Sequence, residues 1–279
     1  MWRRSLATRP ASETLSQREF DQITDLAYRT CGIDLKNGKQ ELVQARLGKK
    51  IRQGKFESFK QYYDHVVADK TGEELISLLD ALTTNFTSFL REATHFDFLR
   101  KTITPSIKGP IRIWSAACST GEEPYTIAFS LLEELGIGAA SRVHIMASDI
   151  SSRALAAAEK GVYEAERFKE FPPGWQSKYL LRGSGHWNGW FRVKPPIRSM
   201  VEFRRLNLME PFPTAEPFHV IFCRNVMIYF NKKTQEQLVN RFAACLKPGG
   251  YLLIGHSESL TGLEQPYQYI KPAVYRKHV

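Results

Sequence analysis

The chain has 279 residues and a formal net charge of +10, from 39 Lys and Arg against 29 Asp and Glu. This length suits one large domain or two modest ones, and the composition excludes collagen-like, disulfide-dense and largely disordered chains. The positive charge favours an acidic partner, which leaves nucleic acid, an anionic membrane surface and an acidic protein open.

Targeting and redox signals are sparse. The four cysteines are far apart and form no CxxC pair, so we expect reduced thiols in a cytosolic protein. The N-terminal MWRRSLATRP has arginines but no apolar segment behind them, which argues against a signal peptide. No stretch approaches the roughly 18 apolar residues of a membrane helix. We expect a cytoplasmic location and no metal site.

Residues 15 to 84 have helical periodicity throughout and need no strand. Ser16 and Glu19 have the spacing of a capping box at the start of the first helix. Apolar positions predict three further helices, around residues 42–51, 59–66 and 75–82.

The helix predicted around residues 42–51 is strongly basic. Between Lys36 and Lys55 stand seven basic residues and one acidic residue, and Arg46, Lys49 and Lys50 share one helix face. This face is either an ordinary solvated surface or a docking surface for an acidic partner. The sequence leaves both interpretations open.

The stretch from Thr83 to Arg91, TTNFTSFLR, mixes polar and apolar residues with neither a helical nor a strand period. Asn85, Thr87, Ser88 and Arg91 are unusual for a simple linker. The stretch is either a hydrogen-bonded junction between domains or a functional segment.

After Pro110 strands and helices alternate, which predicts an α/β fold with a parallel sheet. Residues 111–128 have the pattern of a strand, a small-residue turn with Gly121 and a helix that begins with Glu122 and Glu123. This is the first βα unit of a nucleotide-type fold. Two carboxylates there would repel a pyrophosphate, so the turn favours a ligand with hydroxyl groups or positive charge.

Polar residues follow later predicted strands, and parallel strands would bring them to one edge of the sheet. They are Asp149, Asn207 and Asn225. Asp149 stands where nucleotide-binding folds place the carboxylate that binds ribose hydroxyls, or else it caps the helix that begins at Ser151. Strands are predicted at residues 143–148, 201–206, 218–223, 251–255 and 267–276.

Residues 179–193 interrupt this alternation. Two short β-prone runs flank Gly183, Gly185 and Gly189, which predicts an inserted hairpin. The hairpin is either a recognition edge to which an extended peptide adds or a loop that packs on the body of the protein. Its candidate recognition residues are Arg182, Trp187, Trp190 and Arg192.

The chain resembles the class I S-adenosylmethionine-dependent methyltransferases, and more closely the CheR-type chemoreceptor glutamate methyltransferases. The resemblance rests on seven motifs, which occur in the order TTNFTSFLRE, WSAACSTGEEPY, ASD, NL, FCRNVMIYF, LKPGG and GHSES, and it extends from about Leu15 to the end. The single Gly121 of the second motif is the CheR-type form. Leu90 stands where the family often has phenylalanine.

This resemblance implies an α/β fold with a Rossmann-like class I methyltransferase sheet, an inserted small antiparallel β-subdomain and an all-helical N-terminal domain. We expect the N-terminal domain at residues 1–84 and a linker that contributes to the cofactor site at 85–110. The methyltransferase domain then occupies residues 111–279, with the β-subdomain at about 179–193.

The resemblance also implies the cofactor S-adenosylmethionine and the product S-adenosylhomocysteine. Asp149 would bind the ribose hydroxyls, and Glu123 would lie near the positively charged methionine part. Arg91 is expected to hold the substrate carboxylate, and Tyr229 to complete the pocket near the methyl group, although a core aromatic is the alternative for Tyr229. The residues implied to line the cofactor site are Asn85, Thr87, Arg91, Glu123, Asp149, Asn207, Leu208, Asn225 and Val226.

The implied reaction is transfer of a methyl group to glutamate side chains of bacterial chemoreceptors. The basic face of Arg46, Lys49 and Lys50 would dock receptor helices. The protein is expected to be a cytoplasmic monomer recruited to membrane-bound receptors, without nucleic acid or membrane insertion. A receptor C-terminal peptide would bind to the hairpin at Arg182, Gly183, Gly185, Gly189 and Arg192.

Two other functions are considered. A nucleic-acid methyltransferase suits the charge, but Arg224-Asn225-Val226-Met227 lacks the Asn/Asp-Pro-Pro-aromatic motif of amino-methylating enzymes, and no aromatic-basic strip indicates base stacking. A non-catalytic receptor-binding adaptor on the same fold is the second. The chain has no obvious Ser-His-Asp, Cys-His or HExxH arrangement, and a glutamate substrate with a pKa near 4.3 needs no general base at pH 7.

Overall fold

The computed structural model describes residues 14–35, 38–83, 86–212 and 216–278. The chain divides after residue 85 into two compact units. None of the described helices combines the length and apolar composition needed to cross a bilayer. None of the four cysteines forms a disulfide, and three of them are buried.

The first unit is helical wherever it is described as regular structure, as predicted. The Ser16–Glu19 capping box is confirmed, because the Ser16 hydroxyl accepts from Glu19 N while the Glu19 carboxylate accepts from Ser16 N. Each helix buries one apolar face, for example through Ile23, Leu47 and Leu79. The helices are α1 (Gln17–Cys31), α2 (Gln40–Gly54), α3 (Phe59–Ala68) and α4 (Glu73–Leu82).

Residues 86–110, interpreted from the sequence as part of a linker, pack into the second unit. They form α5 (Thr94–Phe98), a π-helical turn (Leu99–Ile103) and a 3₁₀ turn (Thr104–Ser106). Their apolar side chains are buried in the core of the larger unit, which anchors the junction to the sheet. These side chains are Phe89, Phe96, Leu99 and Ile103.

The second unit contains a seven-stranded sheet and a separate three-stranded sheet. The strands are β1 (Ile111–Ala116), β2 (Val143–Asp149), β3 (Val162–Glu164), β4 (Leu180–Arg182), β5 (Trp190–Val193), β6 (Val201–Arg205), β7 (Phe218–Cys223), β8 (Leu246–Ile254), β9 (Tyr267–Lys271) and β10 (Val274–Lys277). The large sheet has the order β6-β2-β1-β7-β8-β10-β9. Its first five strands are parallel and β10 is antiparallel to both neighbours, which confirms the Rossmann-like sheet.

Helices cover both faces of this sheet. Successive strand residues point to opposite faces, so Ile113 packs in the cluster that contains Phe129, whereas the Trp114 ring lies 5.2 Å from the Phe242 ring. Phe129 belongs to one covering helix and Phe242 to another. The helices of this unit are α6 (Glu122–Leu135), α7 (Ser152–Lys160), α8 (Trp175–Tyr179), α9 (Pro195–Arg198) and α10 (Lys232–Cys245), with 3₁₀ turns at Ile137–Arg142, Ala165–Phe168, Gly185–Trp187 and Met227–Tyr229.

Two strand predictions near the C-terminus need correction. The strand predicted at 251–255 begins at Leu246, so the LKPGG motif lies within β8. The single strand predicted at 267–276 is the hairpin β9–β10, which turns at Ala273 with φ +62°. Pro272 stands in this turn and is a local signal against one continuous strand, because proline has no N–H to donate within a sheet.

The hairpin predicted at 179–193 is present as the antiparallel pair β4 and β5. It has a third strand that the sequence did not indicate, because β3 pairs with the other edge of β5. The small sheet therefore has the order β3-β5-β4 and leaves β4 at its edge. This is the predicted small antiparallel β-subdomain.

Candidate functional site

The carboxyl ends of β1, β2, β6 and β7 lie along one edge of the large sheet, because these strands are parallel. Asp149 ends β2, and Asn207 and Asn225 follow β6 and β7 closely. Leu206 N donates to Asp149 O at 3.0 Å, which joins the ends of β2 and β6. The three predicted polar residues thus lie at the same edge, where parallel α/β sheets bind ligands.

The turn after β1 is tightly packed. Gly121 has φ +94°, and a Cβ added there would lie 2.7 Å from Ala158 Cβ and 2.9 Å from the Tyr163 hydroxyl. That hydroxyl donates to Thr120 O at 2.7 Å. Only glycine fits this position, and the turn brings the N-terminus of α6 to the sheet edge.

Asp149 is fixed by two backbone donors. Its Oδ2 accepts from Ser119 N at 2.8 Å, and its Oδ1 accepts from Ser151 N at 2.9 Å. Ser151 in turn caps α7, since its hydroxyl accepts from Ala154 N. Asp149 therefore supports the start of α7 and remains half-buried at the ligand edge, so the two interpretations of this residue are compatible.

A buried ionic network connects the junction, α6 and the end of β7. Arg224 Nη2 and Nε donate to Glu92 Oε2 at 2.9 and 3.3 Å, and Arg224 Nη1 donates to Glu123 Oε2 at 2.9 Å. Arg224 Nη2 also donates to the Arg91 carbonyl. Glu123 Oε1 accepts from the Ser115 hydroxyl at 2.6 Å, so both Glu123 oxygens are hydrogen-bonded.

Glu92 is ionised within this network. Burial opposes its ionisation, but the Arg224 guanidinium, His256 N and the Asn225 amide together outweigh burial and lower the pKa of Glu92. His256 N lies 3.2 Å and Asn225 Nδ2 lies 3.4 Å from Glu92 Oε1. The carboxylate thus joins three segments that are distant in the sequence.

Glu258 organises the loops after β7 and β8. Its carboxylate accepts from Gly255 N at 2.6 Å, Asn225 N at 2.9 Å and Ile228 N at 3.2 Å. Burial raises the pKa of Glu258, although these backbone donors act in the opposite direction. Asn225 adopts φ +58°, and the carboxylate holds this left-handed conformation in place.

A histidine lies beside the ionic network. His95 is fully buried, and neither of its ring nitrogens has a hydrogen-bond partner among the described residues. Burial and the nearby Arg224 lower the pKa of His95 to about 3, so its ring is neutral at pH 7. Glu92, His95 and His256 offer donor atoms within 4.8 Å of one another, as a metal site would, but the guanidinium against Glu92 opposes a cation there.

Arg91 has a half-buried side chain that hydrogen-bonds to the backbone of its own segment. Its Nη1 donates to Phe86 O at 2.9 Å, and no carboxylate of the described residues forms an ion pair with it. The Thr87 carbonyl accepts from Arg167 Nη1 at 3.0 Å, and the same nitrogen lies 3.6 Å from the buried Glu122 carboxylate. Asn85 lies outside the described residues.

The remaining predicted residues flank the strand ends. Asn207 Oδ1 accepts from Met209 N at 3.0 Å, and the Leu208 carbonyl accepts from Arg241. Val226 and Tyr229 are half-buried and joined by a 3.1 Å hydrogen bond from Tyr229 N to Val226 O. Tyr229 is therefore not a fully buried core aromatic.

Most of the chain matches two family models. Residues 85–276 match the model described as CheR methyltransferase, SAM binding domain, and residues 18–83 match CheR methyltransferase, all-alpha domain. The chain belongs to the CheR methyltransferase family. Its cofactor is accordingly S-adenosylmethionine.

Similar proteins align over nearly the full length of the chain. The chemotaxis protein methyltransferase of Borreliella burgdorferi is 39% identical over 274 residues, which cover 95% of each chain. That of Salmonella typhimurium is 40% identical, over 94% of this chain and 90% of the relative. Chemotaxis protein methyltransferase 2 of Pseudomonas aeruginosa is 40% identical over 93% of both chains.

The site chemistry fits the cofactor of the CheR family. S-adenosylmethionine offers ribose hydroxyls and a positively charged sulfur, and Asp149 and Glu123 at the sheet edge are suited to these two features. Both Glu123 oxygens are already hydrogen-bonded, so Glu123 would act on the sulfur through its charge. Gly121 leaves the turn free of a side chain where the backbone packs most closely.

The residues predicted to bind a receptor peptide lie in β4, in β5 and in the turn between them. Leu181 and Trp187 are 46% and 48% exposed, which is high for large apolar side chains. Gly183 N donates to Trp190 O at 2.8 Å, and an added Cβ at Gly183 would lie 2.2 Å from Trp187 O. Arg182 and Arg192 are both exposed. Gly185 and Gly189 have φ +59° and +85°, which favours glycine at both positions.

The predicted basic face of α2 is only partly exposed. Arg46 Nη1 donates to Leu82 O at the C-terminal end of α4, and Lys50 Nζ donates to the Ser77 hydroxyl. The Arg46 guanidinium thereby satisfies a free carbonyl at the end of α4 and complements the dipole of that helix. The Arg46 and Lys50 side chains are half-buried, whereas Lys49 is exposed. Lys49 is therefore the member of the trio that is most available to a partner.

Sequence reasoning missed three residues that build the site, although each stands within a motif that was recognised. They are Glu92, Arg224 and Glu258. A charged residue directly after an almost wholly apolar strand, as at Arg224, indicates a buried ion pair, because a lone buried charge is costly. That signal was present in FCRNVMIYF.

Proposed function

We propose that this CheR-family protein is a protein-glutamate O-methyltransferase that acts on bacterial chemoreceptors. The names of its relatives support this substrate, since they are chemotaxis protein methyltransferases. The observation that supports it most is Arg91, a guanidinium without a carboxylate partner among the described residues, next to the network of Glu92 and Arg224. Guanidinium groups bind carboxylates with two parallel hydrogen bonds.

The cofactor and the site residues have distinct proposed roles. When bound, S-adenosylmethionine supplies an electrophilic methyl group on a positively charged sulfur. Arg91 binds and orients the substrate carboxylate, Tyr229 closes the pocket, and Glu123 and Asp149 hold the cofactor. Orientation of two bound reactants in this way is worth on the order of 7 kcal/mol or more.

The reaction needs no general base. A substrate glutamate with an ordinary pKa near 4.3 is more than about 99% ionised at pH 7, so its carboxylate is already a nucleophile. His95 is fully buried and has a pKa of about 3, which makes it a poor proton acceptor. The rate should therefore depend little on pH between about 6 and 8.

Two surfaces are proposed to bring the receptor to the site. Lys49 on α2 is an exposed cation that suits acidic receptor helices. The β4 edge, with Leu181 and Trp187 exposed, suits an extended peptide with an aromatic residue, and Arg182 suits an acidic one. Such a tether would raise the local substrate concentration, and it would recruit a cytoplasmic monomeric enzyme to membrane-bound receptors.

Incubation with radiolabelled S-adenosylmethionine tests the proposal. The substrates are receptor cytoplasmic fragments with and without their C-terminal peptide, and total RNA. We expect base-labile label on receptor glutamates, with slower labelling of fragments that lack the peptide. Label on RNA would favour a nucleic-acid methyltransferase, and receptor binding without any label would favour the adaptor function.

A further inference from the structure

Arg224 is the hub of the buried ionic network, and it touches two separate parts of the site. It is 7% exposed, and its guanidinium bonds to Glu92 and the Arg91 carbonyl of the junction as well as to Glu123 of α6. A lysine at this position would keep the charge but could not reach three acceptors in one plane. The contacts therefore depend on the shape of the guanidinium.

The backbone around this hub is strained. Leu90 and Glu92, on either side of Arg91, have φ of +59° and +57°, and Asn225, directly after Arg224, has φ +58°. Residues with side chains rarely adopt this left-handed conformation, and it persists only where surrounding contacts hold it. Arg224 supplies such contacts, since it bonds to the Arg91 carbonyl and to the Glu92 side chain.

We propose that Arg224 is a positioning residue. It holds the strained Leu90–Glu92 backbone, and with it the Arg91 side chain, in a fixed position relative to Glu123. This inference rests on the proposed function, in which Arg91 orients the substrate and Glu123 serves the cofactor. Arg224 is buried and acts through these two residues. Its role is to keep the carboxylate-binding group and the cofactor-binding group in a fixed relation.

The test compares full-length R224K with the control R112K. Arg112 is at the start of β1 and pairs with Glu216 at 3.3 Å, at the opposite end of the strand from the site. Without any ligand, we expect amide hydrogen exchange of residues 86–94 to become faster in R224K and to stay unchanged in R112K. With receptor and cofactor, we expect kcat of R224K to fall on the order of 100-fold, because misplacement of a reacting group by about 1 Å has such an effect.

The affinity for S-adenosylhomocysteine and the melting temperature separate positioning from general destabilisation. In R224K we expect the affinity for S-adenosylhomocysteine and the melting temperature to stay close to their wild-type values, whereas kcat falls. Wild-type exchange at residues 86–94 together with wild-type kcat would overturn the proposal. A lowered melting temperature with unchanged kcat per folded enzyme would also overturn it, because Arg224 would then only stabilise the fold.

The exchange measurement is independent of the substrate. If the wild-type enzyme does not methylate receptor glutamates, the proposed function fails, while exchange at residues 86–94 still shows whether Arg224 holds the junction. If R224K does not fold, E92D tests the same link, because it keeps the charge and shortens the side chain that reaches Arg224. Unchanged exchange in E92D would then overturn the proposal.

Discussion

At the scale of single residues, Glu92 connects the stability of the protein to its site. Although burial opposes its ionisation, Arg224 and two further donors lower the pKa of Glu92 in the folded state. Its stabilising contribution is therefore present above the ordinary carboxyl pKa and is lost as the pH falls through the lowered folded-state pKa. The loss begins on the acid side of about pH 4 to 5.

Glu92→Gln removes this contribution. We expect the free energy of unfolding at pH 7 to fall by about 1.5 to 3 kcal/mol, because Arg224 loses one of its two buried carboxylate partners and keeps only Glu123. The difference in unfolding free energy between this variant and wild type should shrink as the pH is lowered towards about 3. Melting temperatures across this range measure it, with Glu166→Gln, from an exposed ion pair with Lys169, as the control. A difference that stays constant with pH would contradict the lowered pKa of Glu92.

Arg91 carries the proposed contact with the substrate. We expect Arg91→Ala to reduce methyl transfer at least about 100-fold, because a charge-assisted hydrogen bond that orients the nucleophile is lost. Binding of S-adenosylhomocysteine, measured by calorimetry, should remain close to wild type. Arg100→Ala is the matched control, since Arg100 pairs with the exposed Asp97 at 2.8 Å. Near wild-type methylation by the Arg91 variant would remove Arg91 from this role.

At the scale of elements, the turn before α6 depends on a glycine. Gly121→Ala adds a methyl group 2.7 Å from Ala158 Cβ in a backbone with φ +94°, so both strain and overlap oppose it. Gly174→Ala before α8 has the same left-handed backbone, with φ 87° and ψ −18°, but no atom within 4 Å, so it measures strain alone. We expect Gly121→Ala to cost about 1 to 3 kcal/mol more than Gly174→Ala in denaturant unfolding. Equal losses would mean that the packing around Gly121 is loose.

Helix α2 contains two basic residues that stabilise its unit and one, Lys49, that we propose docks the receptor. Arg46 and Lys50 contact α4, so substitutions there would disturb the unit itself, whereas Lys49 is exposed. We expect Lys49→Glu to raise the KM for the receptor without a change in melting temperature. Lys60→Glu, at an exposed cation on α3, makes the same charge change away from this face and should leave the KM unaltered. Equal effects of the two variants would indicate a general charge effect and no docking face.

At the scale of the whole molecule, the sequence predicted features set by short-range patterns. The Ser16–Glu19 capping box needs only three residues of separation, and β7 is an apolar run whose bounds were predicted correctly. Parallel strands then bring Asp149 and Asn225 to one edge by geometry alone. The motifs supplied the family, and the family matches confirm it.

Features that depend on distant contacts were not predictable in this way. Arg224 and Glu92 are 132 positions apart, and neither local pattern specifies the other. Similarly, β3 exists because it pairs with β5, and Arg46 binds a carbonyl of α4 at Leu82. Each of these contacts can be predicted only if it is known which segments meet. The periodicity of the sequence does not give that information.

The central claim is that glutamate side chains of chemoreceptors receive the methyl group. Mass spectrometry of a receptor cytoplasmic fragment, after incubation with the enzyme and S-adenosylmethionine, tests this most directly. We predict methyl esters on particular receptor glutamates, their removal by mild base, and their absence when those glutamates are replaced by alanine. Methylation confined to other side chains, or none on an intact receptor that binds the enzyme, would contradict the account.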